Sequence, residues 1–123
     1  QTLKNFRFVN YDFDLDSVLA LCDVLISDYS GVIFDYLFQD KAIITYAPDY
    51  TEFKENNGFS LDPIDNNFTH YAKNIDELNN YIGEFCSNKK LFIDKFKDER
   101  KKIKDLVFLN EKGFDKIINT IKN

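Results

Sequence analysis

A short alternation of apolar and polar segments constrains this chain more than any other feature. Val24-Leu25-Ile26 is a buried-type strand without polar alternation, and a tight turn and the apolar run 32–38 follow it. After a polar break, residues 42–46 form a second buried-type strand, which Pro48 ends. Strand, turn, helix and strand within about 25 residues predict a βαβ unit with a parallel strand pair and a right-handed crossover.

The flanking segments extend this pattern. Residues 6–10 predict a first strand, residues 68–72 a short edge strand, and helices are expected after Asn74, Asn88 and Gly113. The second of these helices is expected to turn five apolar side chains inward: Leu91, Phe92, Phe96, Ile103 and Leu106. The fold class predicted is α/β, a Rossmann-like parallel sheet with a C-terminal helical cover.

Length and charge limit the possible roles. The 123 residues suffice for one domain, and the net charge of −5 argues against nucleic acid as a partner. The chain has no Met and starts with Gln1, so we expect a piece of a longer protein. Cys22 and Cys86 have no metal-binding spacing and are expected to be buried free thiols in the cytoplasm. Neither a metal nor a cofactor is expected.

The turn at residues 27–31 is the candidate for chemistry, because ligands of open parallel sheets bind at the carboxyl ends of strands. Ser30 is a natural N-cap of the following helix, which would leave the N–H groups of Gly31, Val32 and Ile33 without helical partners. Such amides, with the helix dipole behind them, suit one or two phosphate groups. Gly31 has no Cβ and lets a phosphate oxygen approach closely.

Asp35 is the second candidate, because it follows Gly31 by four residues and shares its helical face. A lone carboxylate in an apolar helix is expected to be paired or hydrogen-bonded. Sugar hydroxyls next to a bound phosphate would satisfy it, and so would a structural hydrogen bond to a neighbouring loop. Ser-capped helices after strands are also common without any ligand, so spacing alone leaves both interpretations open.

The same segment resembles a known signature. Residues 23–30 (Asp-Val-Leu-Ile-Ser-Asp-Tyr-Ser), followed by Phe-Asp-Tyr at 34–36, are similar to the motif of the CDP-glycerol glycerophosphotransferase family. Residues 41–49 (Lys-Ala-Ile-Ile-Thr-Tyr-Ala-Pro-Asp) resemble a second stretch of that family, and residues 58–63 resemble a third. The family includes teichoic-acid primases and polymerases and related capsule enzymes.

The resemblance implies a GT-B architecture of two Rossmann-like lobes, of which residues 1–123 would be the C-terminal donor-nucleotide-binding domain. The implied reaction transfers glycerol phosphate from CDP-glycerol, or a similar nucleotide-activated polyol phosphate, to a hydroxyl of a teichoic acid or capsular polymer, releasing CMP. Catalytic residues are expected on the missing N-terminal lobe, so the isolated chain is expected to be inactive. The implied location is cytoplasmic, with possible peripheral contact with the inner face of the membrane.

The family's donor contacts carry over to Ser30, Gly31 and Asp35, which are the substrate-binding residues that the resemblance implies. Two positions depart from the family pattern. Gly31 replaces the second Ser of a pair, which removes one hydroxyl donor but keeps the backbone N–H. Ala42 stands where the family usually has Pro, a change that we interpret as neutral.

Two alternatives from other classes stay open: a donor lobe of another GT-B glycosyltransferase that uses a UDP-sugar, and a non-catalytic α/β module. Among single residues, His70 is interpreted as a surface or loop histidine, and Asp28 as a turn residue that points away from phosphate and bonds backbone. Asp49 is interpreted as a helix cap. The basic run 89–104 is expected to be a solvated helix face, with contact to an anionic membrane as the alternative.

Overall fold

The structure, a computed structural model, describes residues 8–9, 14–59 and 61–107. Its strands form one parallel sheet in the order β1-β2-β3. The strand bounds are Val24–Ser27 for β1, Ala42–Tyr46 for β2 and His70–Ala72 for β3. This sheet confirms the predicted parallel pair and places the predicted edge strand beside β2.

Helices connect and cover the strands. Their bounds are Leu15–Leu21 for α1, Val32–Leu37 for α2, Tyr50–Asn56 for α3, Ile75–Ser87 for α4 and Lys89–Asp94 for α5, and α6 covers 97–107. The fold is therefore α/β and Rossmann-like, as predicted. In the described part of the chain, no helix has the length and apolar character needed to cross a bilayer.

The central strand β2 is buried on both faces, which explains its continuous apolar sequence. On one face, Ile43 packs in a cluster with side chains from α1, α2 and α6. On the other face, Ala42 and Ile44 pack with side chains from α4 and α5. α5 contributes Phe92 to the second cluster, whereas α6 contributes Ile103 to the first. The α5–α6 segment therefore joins the cores on the two faces of the sheet.

Lys41 links α1 to the strands at the amino end of the sheet. Its Nζ donates to the carbonyl oxygens of Ala20 and Cys22 at 2.8 and 2.9 Å, and the buried Tyr36 hydroxyl donates to the Cys22 oxygen at 2.8 Å. The end of α1 thus has charged and neutral donors for carbonyls that the helix itself leaves unpaired. The lysine that precedes β2 is structural here, and it lies at the edge opposite the carboxyl ends of the strands.

The Lys41→Met substitution is expected to lower the free energy of unfolding by about 1.5 kcal/mol, because two carbonyl oxygens lose a charged donor while the aliphatic stem is kept. Urea unfolding of both proteins measures the difference. Lys102→Met, at an exposed position of α6, is the matched control and should change stability little. Equal effects of the two substitutions would contradict a capping role for Lys41.

The C-terminal helices differ from the single helix expected after Asn88. A turn at residues 95–96 separates α5 from α6 and shifts the helical phase. Phe92 and Ile103 are buried as predicted, but Leu91 is 69% exposed and Leu106 is 40% exposed, so these two predictions are wrong. The helix expected after Gly113 lies outside the described residues.

Three further expectations concern the strand at residues 6–10, the two cysteines and the basic run 89–104. Of the predicted strand 6–10, only Phe8 and Val9 are described, and both are exposed and outside any strand. Cys22 and Cys86 are free thiols as expected, but the expectation that they are buried is wrong: Cys22 is half-buried, and Cys86 is exposed on the outer face of α4. The membrane-contact interpretation of 89–104 stays a prediction.

Candidate functional site

The carboxyl ends of the three strands define one edge of the sheet, because all three run in the same direction. The turn 27–31 leaves β1 there, and residues 47–49 leave β2 and enter α3. Residues 58–59 and 61–67, which lack regular helix or strand, precede β3. This is the edge at which open parallel sheets bind ligands, so the predicted site residues lie in the expected part of the fold.

The turn after β1 is shaped by its own side chains. The Asp28 Oδ1 atom accepts from the Ser30 N–H at 2.8 Å, and the Ser27 and Ser30 hydroxyl oxygens lie 3.3 Å apart. The expectation that Asp28 bonds backbone is therefore confirmed. The bond fixes the orientation of the Ser30 peptide, while the Ser30 side chain stays exposed.

Ser30 is not the N-cap of α2, so that prediction is wrong. Gly31 occupies the cap position with φ −60° and ψ −20°, and no side chain caps the helix. The helical turn starts one residue early, because the Ser30 carbonyl already accepts from Ile33 N–H at 3.2 Å. Of the three amides predicted to be bare, Ile33 N–H is therefore used. Those of Gly31 and Val32 have no acceptor within the described residues.

Open space surrounds Gly31. Its backbone conformation suits any residue, and a Cβ added there would meet no heavy atom within 4 Å. The fold therefore does not require a glycine at this position. The absence of a side chain at this position leaves the N–H groups of Gly31 and Val32 uncovered.

Asp35 lies on the exposed face of α2. Ile33, Tyr36 and Leu37 are buried, whereas Gly31 and Asp35, four residues apart, are both exposed. Within the described chain Asp35 has no hydrogen bond or ion pair. Of the two expected ways to satisfy this carboxylate, the structural hydrogen bond to a neighbouring loop is not made within the described residues, and the exposed carboxylate is accessible to solvent. Gly31 and Asp35 therefore share one open helical face.

Tyr29 anchors the turn to the neighbouring loop. Its hydroxyl donates to Asp49 Oδ2 at 2.8 Å, and its ring stacks on Phe53 of α3 with centroids 4.0 Å apart. The Phe59 ring meets the Tyr29 ring edge-on at 5.5 Å. Burial of the ring and the hydrogen bond to Asp49 raise the pKa of Tyr29 to about 12, so the phenol stays protonated.

Asp49 occupies the N-cap position of α3, but its side chain makes no cap hydrogen bond. The interpretation of Asp49 as a helix cap is therefore right in position and wrong in bonding. Sequence reasoning did not find the contact between Tyr29 and Asp49. The available signal was that both residues follow neighbouring parallel strands, whose carboxyl ends must meet at one edge.

A second tyrosine organises the loop before β3. The Tyr50 hydroxyl lies 2.7 Å from Asp62 and 3.0 Å from Asp65, and Lys54 forms ion pairs with both carboxylates. The hydrogen bond from Lys54, and then that from Tyr50, lower the pKa of Asp65. These carboxylates are satisfied by protein groups. Over the residues that the structure describes, no cluster of His, Cys, Asp or Glu could hold a metal ion.

His70 is not a surface histidine, and that interpretation is wrong. It starts β3 with 4% of its surface exposed, and its ring stacks on Phe92 with centroids 3.5 Å apart. Burial, and then the charges of Lys95 and Arg100, lower its pKa to about 4. Sequence reasoning failed here because the aromatic surroundings come from α4, α5 and Phe96, distant in sequence. His70 lies within the core and away from the turn 27–31.

Comparison with known proteins gives two matches. A family model described as CDP-glycerol:poly(glycerophosphate) glycerophosphotransferase matches residues 2–121. The teichoic acid poly(glycerol phosphate) polymerase of Bacillus spizizenii is 34% identical over 65 residues, which cover 49% of this chain and 16% of that protein. The match thus spans less than a fifth of the length of the curated relative. No solved structure matches the chain.

Proposed function

The chain belongs to the CDP-glycerol:poly(glycerophosphate) glycerophosphotransferase family, and from this premise we propose that it binds the nucleotide donor of a glycerol phosphate transfer. The donor is CDP-glycerol, the acceptor is a hydroxyl of a teichoic acid or capsular polymer, and CMP leaves. In this proposal residues 1–123 form the C-terminal donor-nucleotide-binding domain of a two-lobed GT-B enzyme.

One observation carries the proposal: at the carboxyl edge of a parallel sheet, next to an exposed carboxylate, lie two N–H groups for which the described part of the chain provides no acceptor. The amides of Gly31 and Val32 and the hydroxyl of Ser30 are donors suited to phosphate oxygens. Asp35, on the same open face, is an acceptor suited to hydroxyl groups. A nucleotide diphosphate joined to a polyol has both kinds of group in one molecule.

The chemistry assigns a task to each of these groups. The acceptor hydroxyl oxygen attacks the phosphorus that carries glycerol, the bond from this phosphorus to the bridging oxygen breaks, and CMP leaves with the bonding electrons. Donors aimed at the phosphate oxygens stabilise the charge that develops on the leaving group. We assign this role to Ser30, Gly31 and Val32, and the holding of ribose or glycerol hydroxyls to Asp35.

In this proposal the general base comes from another part of the protein. The sequence has one histidine, His70, and it is buried in the core away from the turn. We therefore place the groups that accept the proton of the attacking hydroxyl on a second lobe facing the carboxyl edge. The exposure of Ser30, Gly31 and Asp35 at this edge supports that arrangement, because a site that closes between two lobes is open on either lobe by itself.

The Asp35→Asn substitution is expected to raise the Kd for CDP-glycerol about tenfold, because a charge-assisted hydrogen bond to a hydroxyl becomes a neutral one. Calorimetric titration of the intact protein with CDP-glycerol measures the change. Asp98→Asn, at an exposed position of α6, is the matched control and should bind like the unaltered protein.

The same titration tests the alternatives. Equal affinity of the unaltered and Asp35→Asn proteins would remove Asp35 from the site. Tighter binding of UDP and UDP-sugars than of CDP and CDP-glycerol would favour the glycosyltransferase interpretation. The absence of any nucleotide binding would overturn the proposed function and favour a non-catalytic module.

A further inference from the structure

We propose that Tyr29 and Asp49 are positioning residues of the transfer reaction, which hold the turn 27–31 in the shape that receives the donor phosphates. The inference rests on the proposed function and adds to it two residues that touch no donor atom. Their contact joins the loops after β1 and β2, which lie 20 positions apart in the chain.

The turn depends on this contact because its own bonds are local. The bond from Ser30 N–H to Asp28 and the 3.3 Å contact between the hydroxyls of Ser27 and Ser30 join residues within the turn, so neither fixes the turn relative to the rest of the sheet. Within the described residues, the Tyr29–Asp49 bond is the one side-chain hydrogen bond that ties the turn 27–31 to another element.

The geometry points to positioning and not to donor contact. The face of the Tyr29 ring is covered by Phe53 at 4.0 Å, and Phe59 packs against the same ring at 5.5 Å. The ring is thus packed against protein and cannot offer that face to a nucleotide base. The hydroxyl is engaged by Asp49, and the peptide that follows Tyr29 brings Ser30 to the open side.

Asp49 extends the effect to α3. Its carbonyl accepts from Phe53 N–H at 2.9 Å in the first turn of that helix, while its carboxylate accepts from Tyr29. Asp49 thus holds the hydroxyl of Tyr29 while Phe53 stacks on its ring. The Tyr29 side chain therefore ties the turn 27–31 to the start of α3.

Kinetics of the intact protein with a matched pair of variants test the inference. Tyr29→Phe keeps the ring and loses the bond, and it is expected to raise the KM for CDP-glycerol about fivefold with kcat changed less than about twofold. Tyr50→Phe is the control, because the Tyr50 hydroxyl also bonds carboxylates, those of Asp62 and Asp65, but not in the turn. Tyr50→Phe should lower the melting temperature about as much as Tyr29→Phe does, and it should leave the KM for CDP-glycerol unchanged.

Variants of Asp49 provide a second test of the inference. Asp49→Ala should raise the KM as Tyr29→Phe does, and the double variant should be no worse than either single one. Asp49→Asn keeps an acceptor for the Tyr29 hydroxyl and should restore most of the affinity. Unchanged KM in Tyr29→Phe, equal KM changes in Tyr29→Phe and Tyr50→Phe, or additive effects of the two sites would overturn the inference. Absence of CDP-glycerol turnover in the unaltered protein would overturn the proposed function instead.

Discussion

The Gly31→Asp substitution is expected to weaken CDP-glycerol binding at least about a hundredfold while the melting temperature stays the same. A carboxylate placed about 4 Å from a phosphate group near a protein surface repels it by roughly 4 kcal/mol, which more than accounts for this loss. The new side chain would also cover the N–H groups that the proposed site uses. Titration with CDP-glycerol and thermal unfolding measure the two effects separately.

The structure predicts that this substitution leaves the fold intact. Gly31 has an ordinary helical φ of −60°, and a Cβ at this position meets nothing within 4 Å. Gly83 of α4 offers a matched control, since a Cβ there also meets nothing within 4 Å and the position is exposed. Gly83→Asp should bind CDP-glycerol normally. Normal binding by the Gly31→Asp protein would remove the turn 27–31 from the site.

A change to serine at the same position separates charge from size. Gly31→Ser restores the hydroxyl that the second Ser of the family motif provides at this position. We expect the affinity for CDP-glycerol to be kept or improved. Loss of affinity in the Gly31→Ser protein would mean that any side chain blocks access to the amides. The pair of substitutions therefore distinguishes repulsion of the donor from steric exclusion.

Acidification is expected to remove up to about 3 kcal/mol of the free energy of unfolding through His70 alone. The folded protein lowers the pKa of this imidazole from its usual 6.5 to about 4, so the unfolded chain binds the proton more tightly. The contribution of His70 is complete above pH 6.5 and is lost progressively as the pH falls toward 4. Urea unfolding between pH 4 and pH 7 measures the slope.

The His70→Phe substitution isolates this contribution. Phenylalanine keeps an aromatic ring against Phe92, and it has no group that titrates in this range. The variant should therefore show a flatter pH dependence than the unaltered protein between pH 4 and 6.5, with carboxylates contributing equally to both. Parallel curves for the two proteins would contradict the burial of a neutral imidazole.

The βαβ unit could be predicted from sequence because burial on both faces of a parallel strand leaves a continuous apolar run. The run at β2 has this form, and no exposed antiparallel strand would tolerate it. The position of Ser30, Gly31 and Asp35 at the carboxyl edge followed from the same unit. The sequence pattern of this unit does not predict the exact start of α2, since both Ser30 and Gly31 are acceptable cap residues.

The surroundings of three residues could not be predicted from sequence, because these surroundings come from elements far apart in the chain. Asp35 is solvated because the neighbouring elements leave one face of α2 uncovered, and α2 alone does not reveal this. His70 is buried because α4 and α5 supply aromatic rings on one side of β3. The contact of Tyr29 with Asp49 likewise depends on the pairing of β1 with β2.

The α5–α6 segment has a consequence for how the domain opens. Phe92 packs on one face of the sheet and Ile103 on the other, and a short stretch of backbone joins them. The helices on one face therefore cannot separate from the sheet without displacing the helices on the other face. Amide protons in α2 and α4 should therefore exchange with solvent in one concerted event and not layer by layer. Such all-or-none opening would keep the carboxyl edge of the sheet intact until the whole domain unfolds.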